Sequence, residues 1–585
     1  MSKTPINRSQ SRSVVASTHG IVATEHPLAS QAGAMVLAQG GHAVDAAIAA
    51  NAVMGVVCPM MCGVGGDLFA IVCESDGAMH GVNASGWAPA RLTPEALERQ
   101  HAGGMPQSGV HSVTVPGAVA GWTLLLERFG RTPLPRLLEP ATLLADEGFP
   151  VAEITSEEWH IQAPFLRGDA ETASTFLPSG HPLRFGEIFR NTDLAWTYRQ
   201  IAEHGADAFY RGEIAARLVA GLERRGSAMT ATDLAEFRPQ CAEPISTTYR
   251  GWRVYELPPN GAGIAALMML NIMESALAQR FGPAFAEGYG ESAFAEGYGA
   301  TGQQSADALH MMIEAKKLAY ADMQRHVADP GFSDVPVAAM LSKEYARERA
   351  AQIDLSRAHA SVDAGRLPVH AGDTIYLSVV DREGNMVSLI QSNFASFGSG
   401  IVAEGTGFPL QNRGALFTLD RRHPNVLAPR KRPLHTIIPA FMTTNPTNPT
   451  NPTNPTNPTN PTNPTRPTIP IKIAFGIMGG WNQSQAHAQF VSNIVDRGMN
   501  IQAALESPRF TKLSFEGNDV AVERRIPADV QRDLAARGHE LEVQGDYCSF
   551  MGGGQAVMRK DGVNYGASDP RKDGSAVPEP VTKNE

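Results

Sequence analysis

The chain lacks a long hydrophobic run. No apolar stretch reaches the roughly 18–20 residues that a membrane-spanning helix needs. The densest one, residues 46–61, is broken by Asn51 and Pro59. Cysteine is scarce as well. Cys58, Cys62, Cys73, Cys241 and Cys548 form an odd set with no CxxC pair, and no His or Cys cluster completes a metal site beside them. Buried free thiols are the expectation for all five. There is no basic block to offset the net charge of −10, which argues against a nucleic-acid surface. The first thirteen residues are polar and basic with no apolar segment behind them, so a secretory signal is not expected and a cytoplasmic location is. Several catalytic patterns are missing: GxSxG, HExxH and the Walker A loop. Gly63-Val64-Gly65-Gly66 lacks a downstream GK[ST], which excludes a phosphate cradle, and no motif around His26 makes it a base.

What is present is a chain of 585 residues, beyond the usual single-domain length. Helical spacing fills much of the first two-thirds: 28–39, 43–57, 134–147, 213–225, 262–277 and 305–326. The 43–57 segment is apolar almost all round and reads as a buried helix. A short strand is expected at 69–73. From Thr374 onward the texture changes to strands at 374–380, 386–391, 436–442, 471–475 and 520–522, with helices at 485–495 and 528–537. Pro527 suits the first turn of the last helix. Helices with two blocks of strands fit a layered α/β architecture. Asn-Pro-Thr repeats seven times from Asn445 to Thr465, and the insertion closes at Thr468. Proline at every third position forbids a sheet ladder, so this segment reads as a passive insertion replacing a hairpin turn. Ala284–Gly290 recurs as Ala293–Gly299, a local duplication in a loop.

The most informative stretch is Gly372–Asn385. Ile375, Leu377 and Val379 alternate with Thr374, Tyr376 and Ser378, and Asp381–Asn385 carries turn chemistry. A turn centred on Glu383 puts Val380 opposite Met386 and Thr374 opposite Ser392. Opposed side chains of an antiparallel pair reach one another. A threonine hydroxyl thus meets a serine hydroxyl at the hairpin mouth.

This hairpin, followed by Phe397-Gly398-Ser399-Gly400, resembles the γ-glutamyltransferase family of N-terminal-nucleophile hydrolases. So do His26-Pro27-Leu28-Ala29-Ser30, Gly40–Ala47, Gly63–Gly66, Val115-Pro116-Gly117-Ala118, Arg432-Pro433-Leu434, Met478-Gly479-Gly480 and Tyr565–Arg571. Their order over most of the chain carries the resemblance. It implies a four-layer αββα sandwich. It also implies self-cleavage between Asp373 and Thr374, into a large subunit 1–373 and a small subunit 374–585. Thr374 is then the nucleophile, and its new α-amino group, with an ordinary pKa of about 7.7–8.0, is the base. Gly479 and Gly480 are expected to form the oxyanion hole, with Ser392 holding the nucleophile. Neither cofactor nor metal is implied. The acyl acceptor is water or an amine.

The departures from the family bear on substrate. Its carboxylate-binding arginine falls on Ser85 in Ala84-Ser85-Gly86-Trp87-Ala88-Pro89. Serine cannot form a bidentate charged pair. The positions that hold the substrate's amino group read Arg413 and Leu416, the serine pair reads His435-Thr436, and an expected asparagine reads Phe394. Asn393, one residue off, faces the other way. The expected substrate is an amide whose acyl group carries a carboxylate, bound by Arg413 and Thr436, but no α-ammonium: oxamate-like or glutaryl-like. The alternatives are γ-glutamyl transfer or glutathione hydrolysis, and an inactive homologue serving as a scaffold.

Overall fold

The computed structural model describes residues 10–101, 104–282, 305–360, 362, 373–444 and 470–581. Two seven-stranded sheets form its centre. In one, the strands run in the order Ser575–Pro578, Ile21–Thr24, Asp373–Val380, Met386–Phe394, Asp67–Cys73, Met79–Ala84 and Gln240–Ala242. In the other the order is Val15–Ser17, Val563–Ser568, Gly554–Lys560, Lys472–Ile477, Ala440–Thr444, Trp252–Glu256 and Ile245–Tyr249.

Alternation along the Thr374 strand explains the layering. Ile375, Leu377 and Val379 enter a core shared with the helices Pro27–Ala38 and Ala43–Val57. Tyr376 and Val380 point the other way, into a core with Ile437, Phe441, Ala474 and Val557 of the facing sheet. A third core lies beyond that sheet, where Phe475 and Ile477 meet the helices Gly263–Phe281, Ala306–His326 and Gln483–Val495. Three cores separate four layers: helix, sheet, sheet, helix. The strand is therefore buried on both faces, where alternation alone suggests one wet face. All fifteen residues of Ala43–Val57 are buried, as a helix apolar all round requires. His42 caps it, accepting from Val44 N, while Asp45 accepts from His42 N.

The strand expected at 436–442 begins only at Ala440. Pro439 has no N–H to give a ladder. Thr436 is thereby left outside the strand, and His435 makes only an isolated bridge to Gly261. Pro527 is the N-cap of Ala528–Ala536 and not part of its first turn. Cys58, Cys62 and Cys73 are buried free thiols, but Cys241 is exposed and Cys548 half-buried, which corrects the expectation for those two. Strand pairs at 245–256 and 554–568 carry no signal read from the sequence. Both sheets draw strands from either side of Thr374, so 1–373 and 374–585 are interleaved parts of one body and not separate domains.

The Asn-Pro-Thr segment and the 284–299 duplication lie outside the described residues. The strands flanking the former pair antiparallel, and Thr444 N donates to Ile471 O at 3.1 Å. The repeat thus stands where a hairpin turn would. Replacing residues 445–468 by a short turn is expected to leave solubility and activity nearly unchanged, because closure entropy rises only about 0.6 kcal/mol per doubling of loop length. Thermal melting and an activity assay check this; an insoluble or inactive product would give the segment a role.

Candidate active site at the mouth of the Thr374 hairpin

The hairpin register runs from Val380↔Met386 to Ile375↔Gln391, as the turn position predicts. It then shifts by one residue, so that Asp373 faces Phe394. The irregularity falls at Thr374, and Phe394 takes a φ of +79°, an uncommon conformation for an aromatic residue. Irregular backbone of this kind is found where a sheet re-aims a side chain. Thr374 Oγ1 donates to Ser392 Oγ at 3.1 Å. Ser392 Oγ also accepts from Phe394 N at 2.8 Å and from Arg413 Nη2 at 3.0 Å. A hydroxyl oxygen has two lone pairs. Three donors compete for them, and Thr374 is the furthest.

Arg413 opens a short 3-10 turn, Arg413–Leu416, and is fully buried. Its Nη1 donates to Thr436 Oγ1 at 2.7 Å, and its guanidinium lies 4.5 Å from the centre of the Phe394 ring. Its Nε has no partner among the described residues. The cation therefore rests on two neutral hydroxyls and an aromatic face, with no described carboxylate in contact. A single hydroxyl, that of Ser392, lies between Arg413 and the nucleophile.

Asp67 lies across the ladder from Ser392 on the neighbouring strand. It accepts from Gln411 Nε2 at 2.8 Å, Gly86 N at 2.9 Å and His435 Nε2 at 2.9 Å. Burial pushes its carboxyl up to about 7, against the pull of Arg413. Burial likewise lowers Arg413 to about 9, against the pull of Asp67. His435 is held neutral by burial first and by Arg413 second, and donates to Asp67. It thus orients the Asp67 carboxyl group. Asp67 was not legible in the sequence, since its link to Ser392 is a strand pairing over more than 300 residues.

Ser85 is buried in a neutral network. Its hydroxyl donates to Asn83 Oδ1 at 2.7 Å and accepts from Asn260 Nδ2 at 3.2 Å. The cation near it is Arg432, whose Nε donates to Ser85 O at 3.0 Å. Leu416 is buried and apolar. Asn393 donates to Pro59 O at 3.2 Å, away from Ser392.

Gly479 and Gly480 adopt φ of +124° and +55° and lead into the helix Gln483–Val495. Their place follows from the sheet stacking. A Cβ on Gly384, at the hairpin tip, would meet Arg559, which pairs with Lys472. A Cβ on Gly476 would lie 2.4 Å from the Tyr376 ring. The strand thus climbs from the tip toward the mouth, and the glycine pair sits at the Thr374 end. His487 anchors this end: its Nε2 accepts from Ile477 N at 3.0 Å, and its Nδ1–H donates to Glu256 at 2.8 Å. A cleft of about 510 Å³ borders the site, lined by Gln107, Phe165, Ser396, Asn412, Phe550 and Lys572 among others.

One cluster went unseen in the sequence. His310, Glu314 and His539 bring ligand-type atoms within 4.8 Å of one another. His310 Nδ1 and His539 Nε2 already share a hydrogen bond of 2.8 Å, and Glu314 is paired with Lys317 at 2.7 Å. Lys317, Lys512 and Arg537 hold His539 down to about 3 together with burial, the largest cause, and with His310. Such a setting disfavours another cation. Among the described residues no helix is long and apolar enough to cross a membrane.

Two stacked sheets between helix layers, with a threonine hydroxyl at the head of a central strand, define the fold of an N-terminal-nucleophile hydrolase. The gamma-glutamyltranspeptidase model matches residues 29–579. The chain is 35% identical to a glutathione hydrolase-like YwrD proenzyme of Bacillus subtilis, over 96% of this chain and 99% of that one. It is 33% identical to an oxamate amidohydrolase proenzyme of Klebsiella pneumoniae, over 96% and 98%. The crystal structure of a cephalosporin acylase from Bacillus halodurans superposes with a TM-score of 0.84 at 38% identity, covering 99% of each chain. The chain belongs to the gamma-glutamyltranspeptidase family, and it is an enzyme.

Proposed function

We propose that this protein is a self-processing N-terminal-threonine amidohydrolase whose acyl substrate carries a carboxylate and no α-ammonium. Cleavage of the Asp373–Thr374 bond gives a large subunit 1–373 and a small subunit 374–585. Thr374 Oγ first attacks the Asp373 carbonyl, and the resulting ester is hydrolysed by water. In turnover the same oxygen attacks the substrate amide, and its proton passes through the free α-amine to the leaving nitrogen. An acyl-ester forms and the amine departs. Water, or another amine, then takes the acyl group. Backbone N–H groups of Gly479 and Gly480 stabilise the oxyanion. Ser392 positions the nucleophile.

The observation that carries the substrate reading is the state of Arg413: a buried guanidinium with an Nε–H that has no partner among the described residues, in contact with two hydroxyls and an aromatic face. Asp67 pulls on this cation without touching it, and a substrate carboxylate beside Thr436 would supply a counter-charge in direct contact. Ser85, tied to Asn83 and Asn260, offers no charge to an amino-acid carboxylate. The names of two relatives, an oxamate amidohydrolase and a cephalosporin acylase, are compatible with a non-γ-glutamyl acyl group. An oxamate-like or glutaryl-like amide fits best.

The second reading, glutathione hydrolysis or γ-glutamyl transfer, is favoured by the name of the YwrD relative. The mature protein is expected to turn over oxamate or glutaryl amides at least tenfold faster, in kcat/KM, than a γ-glutamyl anilide. A reversed order would establish the second reading.

A further inference from the structure

We propose that Glu25 is the positioning residue for the α-amino group of Thr374 in the cleaved enzyme. This rests on the self-processing reading above. The strand Ile21–Thr24 pairs with Val380 to Ser378 and then leaves the sheet. Where its ladder would continue, the Glu25 side chain takes over: Oε1 accepts from Tyr376 N at 3.0 Å. The edge of the Thr374 strand is thus closed by a carboxyl group and not by backbone. Along a strand, N–H groups of residues two apart point to the same edge, so Thr374 N falls on the edge that Glu25 covers, about 6.5 Å from Tyr376 N. Glu25 is 2% exposed, and its Oε2 has no partner among the described residues. A buried carboxyl oxygen left idle is costly unless something comes to it. In the intact chain Thr374 N is a peptide nitrogen with at most one hydrogen. Cleavage turns it into a basic amine with hydrogens to donate, on the strand edge that Glu25 covers.

The surroundings suit a carboxyl that waits for a cation. Burial pushes the Glu25 carboxyl well above its ordinary range, and Lys572 draws it down more than Tyr376 N does. Glu158 and Asp569 oppose Lys572, and the buried thiols of Cys58 and Cys62 also feel Glu25. Lys572 is itself paired with Glu158, so it does not satisfy Glu25 Oε2. Beside the new amine, Glu25 shares one proton with it, fixes its direction relative to Thr374 Oγ1, and favours its protonated form.

The test compares wild type with Glu25→Gln. Glutamine keeps the acceptor for Tyr376 N and removes the charge. Wild type must first yield a small subunit starting at Thr374; if it stays whole, the reading beneath this proposal falls, and the proposal with it. Given a cleaved wild type, Glu25→Gln is expected to be cleaved too. An isolated buried amine gives up its proton more readily, so the acid limb of its kcat/KM profile should move to lower pH by about one unit or more. A cleaved variant with an unmoved limb overturns the proposal. Should Glu25→Gln fail to accumulate, cyanate labelling of Thr374 in wild type against pH decides between the same two outcomes. An amine pKa at or above about 7.7–8.0 despite burial supports the pairing. A value well below that range, as burial alone dictates, overturns it.

Discussion

Thr374→Ala is expected to leave the protein as one full-length band of 585 residues, with no turnover of any amide. The hydroxyl serves twice, first against the Asp373 carbonyl and then against substrate, and no second nucleophile stands ready among the described residues of the site. Ser392 Oγ is the nearest other hydroxyl, but it is saturated by Phe394 N and Arg413 Nη2. Loss of a nucleophile costs up to roughly a millionfold in kcat, which reads as no activity. The fold should survive. Alanine removes one of three donors competing for Ser392 Oγ, and removes it from a buried site where the hydroxyl's only described partner is that serine. Thr374→Ser is the control: it keeps the oxygen, so it should still cleave, more slowly, because a serine rotamer is less restrained than a β-branched one. N-terminal sequencing of the small band checks the cleavage point. A cut alanine variant, or a small subunit beginning elsewhere, would remove Thr374 from both roles.

What the sequence disclosed about this site, and what it withheld, divides along contact order. The hairpin 374–392 is local. Its turn residues fix its register, and its opposed hydroxyls follow by counting. The buried helix 43–57 was legible for the same reason, from a continuous apolar run. The one-residue slip at Thr374 was not legible, because it depends on the chain that the hairpin meets there. Asp67 lies in a strand, and Glu25 just past the end of another, that join the hairpin's two outer edges, hundreds of residues away. Nothing in the wording of residues 20–70 marks either as part of an active site. Their burial is a property of the stacked sheets. Thr436 is expected at the head of a strand, but the strand begins only at Ala440, after Pro439. Arg413 was legible as a departure from a family pattern. Its bond to Ser392 joins residues 21 apart and follows from packing, and that bond changes what its substitution should do.

Arg413→Gln is expected to lower kcat/KM for carboxylate-bearing amides by roughly ten- to a hundredfold, the loss of a charge-assisted hydrogen bond of about 1.5–3 kcal/mol. The variant should fold. Removing a buried cation usually strands its partner, but Asp67 already sits near 7 through burial and can take up a proton once Arg413 is gone. The pocket thus stays neutral without a rescue elsewhere. Glutamine can still donate to Thr436 or to Ser392, though not to both as the guanidinium fork does. Cleavage should therefore be slowed and not abolished, since Phe394 N continues to hold Ser392. The deciding comparison is a matched neutral amide measured on the fully cleaved variant. If Arg413 binds the carboxylate, turnover of the neutral amide should fall by less than about threefold, because the nucleophile, the amine and the glycine pair are untouched. Equal losses on both amides would mean that Arg413 acts through Ser392 alone, as a support for the nucleophile. Arg413→Lys separates the two further. It restores the charge but not the fork, so it should recover part of the carboxylate preference if the guanidinium meets the substrate, and none if its task is to hold Ser392 and Thr436 together.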